Sequence, residues 1–158
     1  VIAADIVPGP VLDTGRWKIS ADLVSHGDGL DMPPAFLKRW MCLGYRFEAE
    51  GKVIAISGDT VPCAGLERLA AGADLLVQVC FLATPEINNE HFRRLAKHTL
   101  ACGDTVGKIA AKAGVKKLAL THHRPRTDDS MLAALMADVK RDYDGPIVMG
   151  EDLTEIEV

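Results

Sequence analysis

Lys52-Val53-Ile54-Ala55-Ile56-Ser57-Gly58-Asp59-Thr60 decides how this sequence folds. Val53 to Ile56 form a continuous apolar run rich in β-branched residues, the pattern of a strand buried on both faces. The run halts at Gly58, Asp59 and Thr60, a turn former followed by a carboxylate and a hydroxyl. Side chains in that position stand at the carboxyl edge of a sheet, where open α/β folds gather their active sites.

Downstream of this strand, Pro62 to Ala71 reads as a helix with proline near its first turn and Gly72 past its end, and Ala73 to Phe81 as another buried strand. Strand, turn, helix and strand in that order define an α/β layer. Glu86 to Lys97 is expected to be helical, and a further helix to run from Asp104, read as its N-cap, to a stop at Gly114. Leu118, Ala119 and Leu120 make a short strand that ends at Thr121-His122-His123. From Asp128 to Asp142 the stripe Met131, Leu132, Leu135, Met136 and Val139 marks one buried helix face, and Ile147–Met149 and Leu153–Val158 are read as closing strands. Upstream, Arg16 to Val24 alternates apolar and polar residues as a half-buried strand does, and stops at His26. Gly27 to Pro34 must be loop, Ala35 to Met41 a short helix or lid, and Tyr45 with Phe47 a strand that turns at Glu50-Gly51. One structural unit is expected, a sheet with helices on one face and another layer on the other.

Composition excludes several classes. A 158-residue chain with 48% hydrophobic and 25% charged residues is an ordinary globular domain, not a disordered one. Its apolar runs fall far short of the ~20 residues that cross a bilayer, so no membrane span is expected. With a net charge of −4 and a pI near 5.7 the chain as a whole does not attract polyanions. The one basic cluster read from the sequence is local: Lys116, Lys117, Arg124 and Arg126. Cys42, Cys63, Cys80 and Cys102 contain no CxxC pair and read as reduced thiols of a cytoplasmic protein. The chain opens on Val1 and stays apolar to Val11 without a basic leader, which is neither a start nor a secretory signal, so an upstream segment is expected.

Three metal-capable side chains share one context. His26, Asp59 and His122 each stand at the carboxyl end of a strand, and strand ends on one edge of a sheet converge. Taken singly, a strand-end histidine is more often a surface or capping residue, and an aspartate after glycine more often a turn former.

Taken in order, His26-Gly27 after an alternating strand, Leu43-Gly44-Tyr45-Arg46-Phe47, Ser57-Gly58-Asp59-Thr60 and Leu118-Ala119-Leu120-Thr121-His122 resemble successive motifs of ribonuclease Z-like hydrolases of the metallo-β-lactamase fold. The resemblance implies an α/β fold, namely the C-terminal half of a four-layer αββα sandwich. It implies that His26 binds one metal, that Asp59 bridges two, and that His122 binds the second. A bridging carboxylate offsets the repulsion of two divalent cations ~3.5–4 Å apart. Histidine ligands point to zinc, with manganese or iron as alternatives. His123 is expected to point elsewhere. His98, in Lys97-His98-Thr99, matches a histidine segment of the family and is assigned the proton for the leaving group, while His91 is read as structural.

The resemblance also has gaps. The HxHxDH motif of the family, which supplies most of the ligands, is absent, so the missing N-terminal half of the domain is an expected partner. Leu76-Val77-Gln78-Val79-Cys80-Phe81 lacks the His and Glu of the family's matching run, and only Phe47 to Ser57 is available where ribonuclease Z has a tRNA-gripping arm. Instead the loop from Gly27 to Met41 offers Met32, Phe36, Leu37 and Trp40 as a cover for a small apolar or aromatic substrate. The leading expectation is therefore a metal-dependent hydrolase of a small ester, lactone or phosphodiester, with nucleic acid disfavoured and a homodimer allowed. An RNA-processing nuclease and a metal-free binding or scaffold domain stay open as alternatives.

Overall fold

The apolar runs of the sequence become seven strands of a single sheet in the computed structural model, which describes residues 4–125 and 128–158. The strands β1 (Gly9–Asp13), β2 (Trp17–Leu23), β3 (Leu43–Ala49), β4 (Lys52–Ile56), β5 (Leu75–Val79), β6 (Leu118–Thr121) and β7 (Ile147–Met149) lie in sequence order. The β1 to β4 pairings are antiparallel, and those from β4 to β7 are parallel. β3 and β4 can be joined by two residues because Glu50 and Gly51 both take left-handed φ, 52° and 73°, the geometry whose twist matches a hairpin.

Each parallel step needs a crossover, and the helices fill them: α2 (Ala64–Ala70), then α3 (Glu90–His98) with α4 (Gly103–Ala113), then α5 (Asp129–Lys140). A short α1 (Pro34–Leu37) lies in the loop between β2 and β3. Crossovers of one hand along one direction bring the helices to one face of the sheet. There Ala55, Leu76, Leu118 and Leu120 meet Leu66, Leu69, Val106, Ile109, Leu135 and Val139 in a continuous buried core. The approach is close: a Cβ added to Gly65 of α2 would lie 1.7 Å from the Leu23 carbonyl oxygen, so only glycine fits where α2 crosses the end of β2. Arg46 of β3 donates to the carbonyls of Leu69 and Ala71 at 2.8 and 3.0 Å, satisfying the free end of α2.

On the other face, the register sets Ile19 beside Phe47 and Ile54, and Ala21 beside Tyr45, Ile56 and Val77. Trp17 and Ile56 there keep 42% and 37% of their surface exposed. None of the four cysteines is in a disulfide, and burial pushes the Cys80 thiol well up and that of Cys102 up to about 12. No described helix is long and apolar enough to cross a membrane.

Three expectations need correction. Leu153–Val158 is not a strand: Thr154 closes a turn on Glu151, and Leu153 takes a left-handed φ of 66° and is 98% exposed. α4 is capped by Cys102, not Asp104, which sits instead in the first turn, where a carboxylate favours the positive end of the helix dipole. The helix expected over Glu86–Lys97 is broken. A 3₁₀ turn at Thr84–Glu86 precedes Asn89, whose side chain accepts from the Phe92 amide at 3.0 Å and starts α3.

Candidate metal centre

At the carboxyl ends of β4 and β6, Asp59 and His122 face one another with Asp59 Oδ2 and His122 Nε2 3.5 Å apart. β5 lies between their strands, so the contact spans the edge of the sheet. The backbone is bent to make it. Gly58 takes a φ of 62°, where a Cβ would also meet the Leu43 carbonyl at 2.7 Å, and His122 itself holds a left-handed φ of 56°. A non-glycine residue held in that region is a local strain of the kind that collects at functional sites. Phe81 places its ring edge-on against the His122 imidazole, centroids 5.8 Å apart.

His26 reaches the same edge by its backbone. Ser25 and Val61 form an isolated bridge, and the buried Thr60 hydroxyl accepts from the Ser25 amide at 3.1 Å, which sets His26 beside the Asp59-Thr60 turn. Its Nδ1 lies 2.8 Å from the Thr99 carbonyl oxygen. A carbonyl can only accept, so Nδ1 carries the proton and Nε2 keeps the free lone pair, the tautomer a metal ligand needs. On the other side of the ring, Trp40 stacks at 6.0 Å and donates its indole N–H to the His26 carbonyl at 2.6 Å.

His98 ends α3 and packs on the loop that follows His26. Its carbonyl accepts from the Gly27 amide, and a Cβ on Gly29 would fall 1.9 Å from its Nδ1. His123 lines, with His122, an open cleft that also includes Thr121, Gly150, Glu151 and Asp152, and its buried Nδ1 has no hydrogen-bond partner among the described residues. Arg124 rests over the Phe92 ring and pairs with buried Glu86 at 3.0 Å; Arg126 of the expected basic cluster lies outside the described residues.

Set against a divalent metal, this donor set fits in kind and falls short in number. Two ligands at ~2.0 Å from a tetrahedral ion are about 3.3 Å apart, close to the 3.5 Å between Asp59 and His122. Among the described residues, however, no group of three or more His, Cys, Asp or Glu side chains is arranged to hold a metal ion. Sequence reasoning missed one neighbour of Asp59: the Cys42 thiol is raised by burial first and then by the negative charges of Asp28 and Asp59. A thiol between strands carried no motif by which to find it.

No protein-family model matches the chain. Ribonuclease Z of Mycolicibacterium paratuberculosis is 32% identical over 120 residues, 73% of this chain and 42% of the relative. A putative ribonuclease Z of Mycobacterium tuberculosis is 33% identical over 119 residues, covering 73% of this chain and 52% of the relative. The chain thus spans about half the length of these curated relatives. In three dimensions it is similar to the metallo-β-lactamase fold protein YhfI of Bacillus subtilis (TM-score 0.66, 17% identity, 90% of this chain and 49% of that one). It is likewise similar to the short form of human tRNase Z (TM-score 0.64, 19% identity, 94% and 44%). These relatives overturn one expectation, that of a small-molecule substrate with nucleic acid disfavoured, because the names they carry are those of ribonucleases. Its premises were too coarse: net charge is a sum over the chain, whereas contacts to a phosphate backbone are local, and a short β3–β4 hairpin removes one gripping element only. With its seven-stranded sheet, its helical face and this similarity in sequence, the chain belongs to the ribonuclease Z-like branch of the metallo-β-lactamase fold.

Proposed function

We propose that the complete protein is a metal-dependent hydrolase of the ribonuclease Z type that cleaves a phosphodiester of RNA, and that this chain is the C-terminal portion of its catalytic domain. The observation that carries the reading is the similarity to ribonuclease Z over 73% of the chain, and beside it stands the facing of Asp59 and His122 across the sheet edge. Asp59, His122 and His26 would hold two divalent ions, zinc by the imidazole-rich donor set, with further ligands from the upstream part of the domain. Bound there, such ions supply an activated water and neutralise charge on the phosphate. The chain's own contribution is placement. Asp59 would supply a carboxylate ligand whose charge offsets that of the ions, the Thr99 carbonyl and Trp40 fix the ring of His26, and His98 would donate a proton to the leaving oxygen. Four free cysteines fit a reducing compartment such as the cytoplasm.

The test is cleavage of a precursor tRNA by the complete protein, with metal analysis alongside. Asp59→Asn keeps the shape and removes the charge; metal content is expected to fall from about two ions to about one, and the rate by on the order of a hundredfold or more. Full occupancy with a near-normal rate would remove Asp59 from the site. A second reading, a metal-free binding domain of the same fold, is favoured by the lack of a three-donor group among the described residues. It predicts no bound metal in the complete protein.

A further inference from the structure

We infer that the segment from Pro33 to Met41 is a stacking platform for unpaired bases of an RNA strand entering the candidate metal centre. The inference rests on the RNA reading above and names how that substrate is held. Phe36 and Trp40 stack on each other with ring centroids 5.0 Å apart, yet remain 44% and 39% exposed. Large aromatic rings left half in water, on a segment with no buried residue in its helix, are not there to build the core. With Pro33, Ala35 and Arg39 they line an open cleft of about 570 Å³, within the ~300–1,000 Å³ typical of ligand clefts.

Position and charge select the occupant. Trp40 is tied to His26 by its indole N–H and by ring stacking, and His26 flanks the Asp59-Thr60 turn, so the platform adjoins the Asp59–His122 pair. Between Pro33 and Met41 the only charges are the cations Lys38 and Arg39, and neither side chain forms an ion pair among the described residues. Acidic Asp28 and Asp31 lie on the preceding loop, which packs against the His98 end of α3, a helix that exposes Arg93, Arg94 and Lys97 as well as Glu90. Aromatic faces with flanking cations next to a phosphodiester site are the combination that binds single-stranded nucleic acid without reading its sequence.

The experiment compares a single-stranded oligoribonucleotide with an abasic strand of equal length, both titrated against the complete protein. Tryptophan quenching that is present in the parent and lost in Trp40→Phe reports stacking on Trp40, whatever other tryptophans the complete protein holds. The base-bearing strand should bind about tenfold tighter and quench Trp40, and Phe36→Ala and Phe36→Leu should both bring that ratio towards one while Phe36→Tyr keeps it. Binding of both strands with equal affinity would overturn the platform and leave the RNA reading standing. Binding of neither would overturn both.

Discussion

The histidine at the end of α3 owes its position to an atom that is missing. A Cβ on Gly29 would sit 1.9 Å from His98 Nδ1 and 2.4 Å from Cε1, so Gly29→Ala must push the imidazole aside. Because the neighbour is the far end of a side chain, the fold should survive and the melting temperature change little. If His98 is the proton donor, Gly29→Ala should slow RNA cleavage by on the order of tenfold to a hundredfold, with the loss largest where the leaving group most needs a proton. The decisive measurement is the double variant: Gly29→Ala with His98→Ala should be no slower than His98→Ala alone, since both act through one ring. Additive losses would mean that Gly29 serves the loop and not the histidine. At this scale the positions of Asp59 and His122 at the carboxyl ends of β4 and β6 were legible, each following a recognisable strand. The tether of His26 to the Thr99 carbonyl was not, because it joins residues 73 positions apart through a backbone atom that every residue has.

Elements were read well where their signals were local and poorly where they depended on a neighbour. β4 and α5 follow from an apolar run and from Asp128, which accepts from the Met131 amide at 2.9 Å as an N-cap should. Leu153–Val158 had the composition of a strand and no partner strand to pair with, since the sheet ends at β7. The docking of α2 on the sheet was equally invisible, because Asp22 and Arg68 are 46 residues apart and form a two-pronged pair at 2.7 and 2.9 Å. The guanidinium beside Asp22 holds its carboxyl below the ordinary value of 3.8, against the opposing effect of burial. A depressed carboxylate contributes stability that is present above its unfolded pKa and is lost as pH falls through the lower folded value. Asp22→Asn should therefore cost up to about 1 kcal/mol at pH 7, the scale of a partly exposed pair. Below pH 3.8 the difference from the parent should shrink. Urea unfolding at the two pH values checks this, and a constant difference would assign the cost to the amide and not to the charge.

At the scale of the whole molecule the sheet is finished on one face only. Helices bury Ala55, Leu76, Leu118 and Leu120 on theirs, whereas Ile19, Phe47 and Ile54, with Tyr45, Ile56 and Val77, form an apolar surface across four strands that stays partly open. Contiguous apolar surface of this kind marks a face that meets another protein layer when it is large. The chain spans about half the length of its relatives, and if the upstream part proposed above supplies the second sheet of an αββα sandwich, that sheet is the cover this face would receive. Ile56→Asp separates the alternatives. It puts a charge on a side chain that is 37% exposed in this chain and that a second sheet would bury. Beneath a second sheet the carboxylate should cost about 3 kcal/mol or more in urea unfolding of the complete protein, since a lone charge would lose its water. On an open surface the same change should fall within about 0.5 kcal/mol. The 158-residue chain made alone should behave oppositely, binding a hydrophobic dye and self-associating, with Ile56→Asp improving its solubility. A near-neutral Ile56→Asp in the complete protein would mean that this face meets solvent, and that the metal ligands missing from the chain have to come from somewhere other than a sheet laid upon it.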